Sequence, residues 1–255
     1  MIKATALVLA GSRPGRDAFA ESHGSDLKAL IPVAGEAMVR RPVAALLASE
    51  RIGEVIVLAQ QCERIGAALP ADPRLSVKAS GATIAATLEA VCADPTTEWP
   101  VLVTTADHAL LDAGMVDDFC RHAANADIAI GLVERAALIK RFPEAKRTWI
   151  RFKGGAYSGA NLFLLGSPRA AKAIALWRGV EQDRKKGWRL LAALGPAMLL
   201  GSGLRLLTLD QVLDRAGRRL GLSIKAVEMA DPLAAVDVDK VEDHQLVEAI
   251  IAGRA

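Results

Sequence analysis

The stretch "LVLAGSRPGRDAFAESHGSDLK", residues 7–28, leaves an apolar run at Gly11 and carries Arg13, Arg16 and Lys28 into the segment that follows. Glycine frees backbone N–H groups to turn toward phosphate oxygens, and fixed cations neutralise the charge those oxygens bring, so these residue types suit a polyphosphate. Two acidic points lie far off in the chain. Asp107 follows the apolar run Val101–Thr105, and Asp237 and Asp239 alternate in "AAVDVDK". If that alternation is a short strand, both side chains point to one face, and Glu242 and Asp243 then open an acidic helix. Magnesium takes one or two carboxylates and completes its octahedron with water and phosphate oxygens, so aspartates from two distant segments suffice. Phosphoryl-type transfer asks for positioning and charge neutralisation rather than a protein nucleophile.

Each feature also has a plainer reading. The glycine loop could be an ordinary turn. Asp107 could cap the next helix, and alternating acids on an edge strand could simply face water. His108, next to Asp107, invites a general base, but an attacking phosphate oxygen is already ionised, so His108 is read as a supporting neighbour. What favours the chemical reading is convergence, because the elements that carry these residues place them at one edge.

Those elements alternate. Ala4–Leu9, Val55–Ala59, Val101–Thr105 and Ile128–Val133 read as buried strands, and Met38–Ser49, Ile84–Cys92 and Met115–Asn125 carry apolar residues at helical spacing. The order predicts an α/β fold, a mostly parallel Rossmann-like sheet with helices on both faces. Ligands of such sheets bind beyond the carboxyl ends of the strands. Two stretches break the rhythm. "KRFPEAKRTWIRFK", residues 140–153, is rich in cations with Glu144 as its one acid, and lies ahead of "YSGANLFLL". The segment 168–233 is read as a helical insertion or lid within a single domain, 1–255. Its portion from Trp177 to Leu207 is read as a packed helical pair rather than a surface for a membrane or lipid-like acceptor.

Composition narrows the class. With 52% apolar residues the 255-residue chain can fill one large core, and a formal charge of +3 without long basic runs gives no sign of a nucleic-acid partner. Cys62, Cys92 and Cys120 fit neither a zinc pattern nor a disulfide framework and read as small buried hydrophobes. The N-terminal apolar run is too short for a signal peptide or a membrane span, so a cytoplasmic protein is expected.

"LVLAGSRPGR…LKALIPVAGEAMV", "TTADHALLD", "YSGANLFLL" and "VDVDKVEDH" together resemble, in order and spacing, the motifs of MobA-like NTP transferases, a nucleotidyltransferase family with guanylyl- and cytidylyltransferase members. The resemblance covers roughly residues 4–166 and 234–250. It implies a magnesium-dependent enzyme that moves a nucleoside monophosphate from GTP or CTP to a small phosphorylated acceptor and releases pyrophosphate. It further implies a nucleotide held by Leu9, Ala10, Gly11, Ser12, Arg13, Gly15, Ser80, Gly81 and Thr83, with Arg16, Lys28 and Asp107 in catalytic roles. Asp107 and Asp239, with Asp237, would hold the metal, and Tyr157, Ser158, Gly159 and Asn161 would line the acceptor side. The first loop is poorer in glycine than the family pattern, and 168–233 matches none of its motifs. Two alternatives stay open: a nucleotide-sugar glycosyltransferase using Asp237-Val-Asp239 as its metal motif, and a nucleotide-binding module without chemistry.

Overall fold

The computed structural model describes residues 3–12, 15, 17–143, 147–181 and 206–254. Its strands are β1 (Ala4–Leu9), β2 (Pro32–Val33), β3 (Glu36–Ala37), β4 (Ile52–Ala59), β5 (Leu75–Ala79), β6 (Val101–Thr105), β7 (Ile128–Glu134), β8 (Ile150–Phe152), β9 (Gly155–Leu165) and β10 (Ile224–Glu228). The helices are α1 (Ala18–Ser22), α2 (Arg40–Ala48), α3 (Cys62–Ala67), α4 (Ile84–Ala93), α5 (Ala113–His122), α6 (Arg135–Arg141), α7 (Ala171–Glu181), α8 (Leu209–Leu220) and α9 (Val241–Ile251). One sheet runs β10-β7-β9-β6-β1-β4-β5, with β8 attached to β9, while β2 and β3 form a separate small ribbon.

The β1–β4, β1–β6, β4–β5 and β7–β10 pairs are parallel. β9 runs against its sheet neighbours β6, β7 and β8. The buried strands are apolar at successive positions because both faces of the sheet are covered. Along β1, Ala6 and Val8 enter one core with Leu46, Phe119 and Leu162, while Leu7 enters a second with Leu88, Val103 and Ile174. The fold is therefore the mostly parallel α/β sandwich that the alternation of elements predicts.

The β1 and β6 spans coincide with the predicted runs, and the differences elsewhere have local causes. The helix predicted over Met38–Ser49 starts instead at Arg40. Met38 and Val39 spend their amides on Ile31 O at 2.9 Å and Ala29 O at 3.0 Å, which ties them to the preceding turn. The helix predicted over Met115–Asn125 starts at Ala113 under the Asp112 cap, and Asn125 lies beyond its end with a positive φ. Within 168–233, α7 packs on α4, but Ile224–Glu228 pairs with β7, so that part of the segment belongs to the sheet. Residues 182–205, the heart of the expected lid, lie outside the described residues. The three cysteines are only partly buried; burial still pushes the Cys120 thiol up to about 11. Among the described residues no helix is long and apolar enough to cross a membrane.

Candidate active site

The carboxyl ends of β1, β4 and β6 lie side by side, so whatever follows each strand meets at one rim. After Leu9 the chain keeps one more ladder bond, Ala10 N to Leu58 O at 2.9 Å, and then turns away at Gly11. Gln60, the first residue past β4, holds the turn. Its Oε1 accepts a 2.8 Å hydrogen bond from the Ser12 amide, and its carboxamide lies where a Cβ on Gly11 would come within 3.1 Å. A side chain at position 11 would press on the carboxamide that tethers Ser12. Gly15 has a φ of +105°, a conformation L side chains rarely adopt. Asp17 caps α1 through the amides of Phe19 and Ala20. Arg13 and Arg16 lie outside the described residues.

Lys28 begins a short 3-10 turn, Lys28–Leu30, whose neighbours Leu27, Ala29 and Ile31 are all buried. Its backbone is fixed by the core, and its side chain extends to the rim. There the ammonium donates to Asp107 Oδ2 at 2.6 Å and to Asp239 Oδ1 at 2.5 Å. Those two contacts together bound the separation of the carboxylate oxygens, well within the reach of a single octahedral cation and its waters, whose ligand bonds are about 2.1 Å. Burial opposes the charge on Lys28, but Asp107 and then Asp239 outweigh it and hold the ammonium's pKa above its ordinary value.

Asp107 is not a helix cap; Asp112 does that work for α5 by accepting from the Met115 amide at 2.8 Å. Asp107 is instead locked in place. Ala106 N bonds Leu9 O at 3.0 Å, Thr105 Oγ1 donates to Asp107 Oδ1 at 2.5 Å, and Asp107 O accepts from Val238 N at 3.0 Å. His108 is fully buried, and burial pushes its pKa down to about 4, against the pull of Asp107. Burial therefore favours the uncharged ring near neutral pH.

The acidic pair near the C-terminus departs from expectation. Residues 236–239 form no strand, because the segment follows a 3-10 turn (Pro232–Ala235) and makes a single backbone bond to Asp107 rather than a ladder. The two carboxylates accordingly have different partners. Asp239 reaches Lys28, and its amide donates to Asp243 Oδ2 at 3.3 Å in the first turn of α9. Asp237 turns the other way: Arg147 grips its Oδ1 and, at 3.1 Å, its carbonyl, while Asn161 Nδ2 donates to its Oδ2 at 2.9 Å. Burial raises the pKa of Asp237, Arg147 opposes that, and Asp239 and Asp107 reinforce it.

Asn161 can aim its amide there because its φ of +48° is left-handed, a region asparagine tolerates better than most residues. Tyr157, Ser158 and Gly159 precede it on β9, opposite Glu134, Val133 and Leu132 at the carboxyl end of β7. On the far side of the rim, Ser80 donates its amide to Ala59 O at 3.0 Å, and Gly81 donates its amide to Thr87 Oγ1 at 2.9 Å. Thr83 caps α4 through the Ala86 amide. The structure therefore brings Lys28, Asp107 and Asp239 into direct contact, sets Asp237 and Asn161 beside them, and spreads Gly11, Ser12, Ser80 and Gly81 along the neighbouring strand ends.

Gln60 and Arg147 are the two residues of this region whose roles the sequence reading does not identify. Gln60 has no signal beyond its place after a strand. Arg147 reads as one cation among many until Asp237 is brought to it. Among the described residues no group of three or more His, Cys, Asp or Glu side chains converges on a metal site. The pair Asp107 and Asp239, both in contact with Lys28, would suit an ion that draws its remaining ligands from water and phosphate.

Comparison with known proteins gives the family and the fold. A family model described as the MobA-like NTP transferase domain matches residues 6–197. A solved structure described as a hypothetical transferase from Thermus thermophilus is 32% identical with a TM-score of 0.79, the match covering 95% of this chain and 100% of that one. Two more distant structures share the fold. A 4-diphosphocytidyl-2C-methyl-D-erythritol synthase from Anaerococcus prevotii is 11% identical, with TM-score 0.60 and coverage of 98% and 99%. A CMP:2-keto-3-deoxy-manno-octonic acid synthetase complexed with CTP is 14% identical, with TM-score 0.61 and coverage of 99% and 100%. A search of curated proteins gave no match. With the family model spanning most of its length and a rim built as described, the chain belongs to the MobA-like NTP transferase family.

Proposed function

We propose that the protein is a magnesium-dependent nucleotidyltransferase that moves a nucleoside monophosphate from GTP or CTP to a small phosphorylated acceptor, releasing pyrophosphate. The observation that carries this reading is the meeting of Lys28 with Asp107 and Asp239 at the carboxyl ends of the parallel strands. Asp107 and Asp239 would hold the divalent cation. When bound, such a cation neutralises phosphate charge and helps align the reacting groups.

The chain's own residues do the rest. Gly11, Ser12 and Gly15 shape the turn that receives the triphosphate, with Arg13 and Arg16 assigned to it by resemblance. Lys28 balances charge as the acceptor's phosphate oxygen attacks the α-phosphorus, and that oxygen needs no base because it is already ionised. Ser80, Gly81 and Thr83 flank the base and ribose. Tyr157, Ser158, Gly159 and Asn161 form the acceptor wall, and Asp237 supports it through Asn161 rather than by ligating the cation.

The test is pyrophosphate release from each NTP with Mg²⁺ and a panel of phosphorylated sugars and alcohols. Acceptor-dependent release from GTP or CTP is the expected result. Nucleoside diphosphate released from a nucleotide sugar instead would assign the protein to glycosyl transfer.

A further inference from the structure

Lys28 holds the position between two carboxylates that a bridging cation would take, and its backbone cannot retreat. Leu27, Ala29 and Ile31 are buried on either side, and Ala29 O and Ile31 O are bonded to the amides of Val39 and Met38. Only the four-carbon side chain is free to change place, and lysine's flexible stem suits that movement. An ammonium and a divalent cation cannot share the oxygens at 2.6 and 2.5 Å, because like charges a few ångströms apart repel strongly near a protein surface.

We propose that Lys28 is an internal counter-cation whose displacement makes the divalent cation and the nucleotide bind as one thermodynamically coupled pair. The proposal rests on the nucleotidyltransferase reading above. A divalent cation arriving alone must evict the ammonium and strand it at a half-buried rim without its carboxylates. A triphosphate arriving alone draws the ammonium away and leaves Asp107 and Asp239 facing each other beside new negative charge. Arriving together, the two ligands exchange partners with the protein: the carboxylates receive the metal and Lys28 receives the phosphates. Each ligand therefore favours the other through one side chain, and the coupling is reciprocal by linkage.

Mn²⁺ serves as the probe, with its free concentration followed by electron paramagnetic resonance. Titrations use wild type, Lys28→Met and Lys28→Arg, each with and without a CTP or GTP analogue that cannot be cleaved between its α- and β-phosphates. Protein-free controls account for Mn²⁺ held by the analogue itself. Wild type should bind Mn²⁺ weakly alone and at least about tenfold more tightly with the analogue. Lys28→Met should bind Mn²⁺ alone at least about tenfold more tightly than wild type, with most of the enhancement by analogue gone. Lys28→Arg, which keeps the charge, should resemble wild type.

Equal Mn²⁺ affinity in wild type with and without analogue overturns the proposal, and this measurement needs no variant to fold. A Lys28→Met protein with native circular dichroism that binds Mn²⁺ no better than wild type also overturns it. If both ligands bind without influencing each other, the coupling fails and the nucleotidyltransferase reading stands. If neither Mn²⁺ nor any nucleotide binds, both fall.

Discussion

The Val238 amide donates to the carbonyl of Asp107 at 3.0 Å, joining the end of β6 to the segment that carries Asp239. The backbone thus holds the two segments together, while Lys28 bridges the carboxylates they carry. Neutral isosteres should keep the architecture and lose the electrostatics. Asp107→Asn and Asp239→Asn should each lower kcat/KM by at least about a hundredfold, an effect of the size removed charge stabilisation produces. Denaturant midpoints should stay within about 1 kcal/mol of wild type. A magnesium titration of pyrophosphate release, run beside urea melts, checks both halves.

Asp237 and Arg147 form an ion pair that is mostly shielded, Arg147 being 11% exposed along its side chain. Removing one partner leaves a desolvated charge uncompensated, which costs more than the intact pair contributes. Arg147→Met should destabilise the fold by about 3 kcal/mol, while the double change Arg147→Met with Asp237→Leu should recover part of that loss. Equilibrium unfolding of wild type, the two single variants and the double gives the coupling directly.

His108 ties stability to acid. Its ordinary pKa of 6.5 falls to about 4 in the folded protein because the ring is buried. As pH drops below 6.5 the unfolded chain takes up the proton and the folded chain refuses it, so stability declines until the folded pKa near 4 is reached. The full decline amounts to about 3 kcal/mol. His108→Leu should flatten the corresponding portion of a stability-against-pH curve between pH 7 and 4.5, and a curve parallel to wild type would refute the assignment.

Gln60 and Gly11 act as a unit, since the carboxamide that holds Ser12 lies against Gly11. Gln60→Leu should raise KM for the nucleotide about tenfold with a smaller change in kcat, because the turn loses its tether and not its chemistry. Gly11→Ala pushes the carboxamide aside and should do nearly the same. The double variant should be little worse than either single one, as a steady-state double-mutant cycle would show.

The strands β1 and β6 were legible because unbroken apolar runs of that length suit a sheet covered on both faces. Asp107 was legible because it follows such a run, whereas Lys28 reaches it from a 3-10 turn and Asp239 from a segment that forms no strand. Residues 236–239 misled because alternating Val and Asp imitate a strand, whereas a ladder needs repeated bonds to one neighbour, and the segment bonds in turn to Leu233, Asp107 and side chains. The pairing of Arg147 with Asp237 joins residues remote in sequence, and no local pattern announces it. Gln60 carries neither charge nor special backbone geometry, so its role becomes visible only beside Ser12.

The reversal of β9 reaches beyond topology. A strand threaded against β7 delivers its beginning where β7 delivers its end, so Tyr157–Gly159 stand on paired backbone, and Asn161 follows where the register shifts. An insertion among Tyr157–Gly159 would first have to break the pairing with β7, so exchanging side chains is the easier way to reshape that stretch.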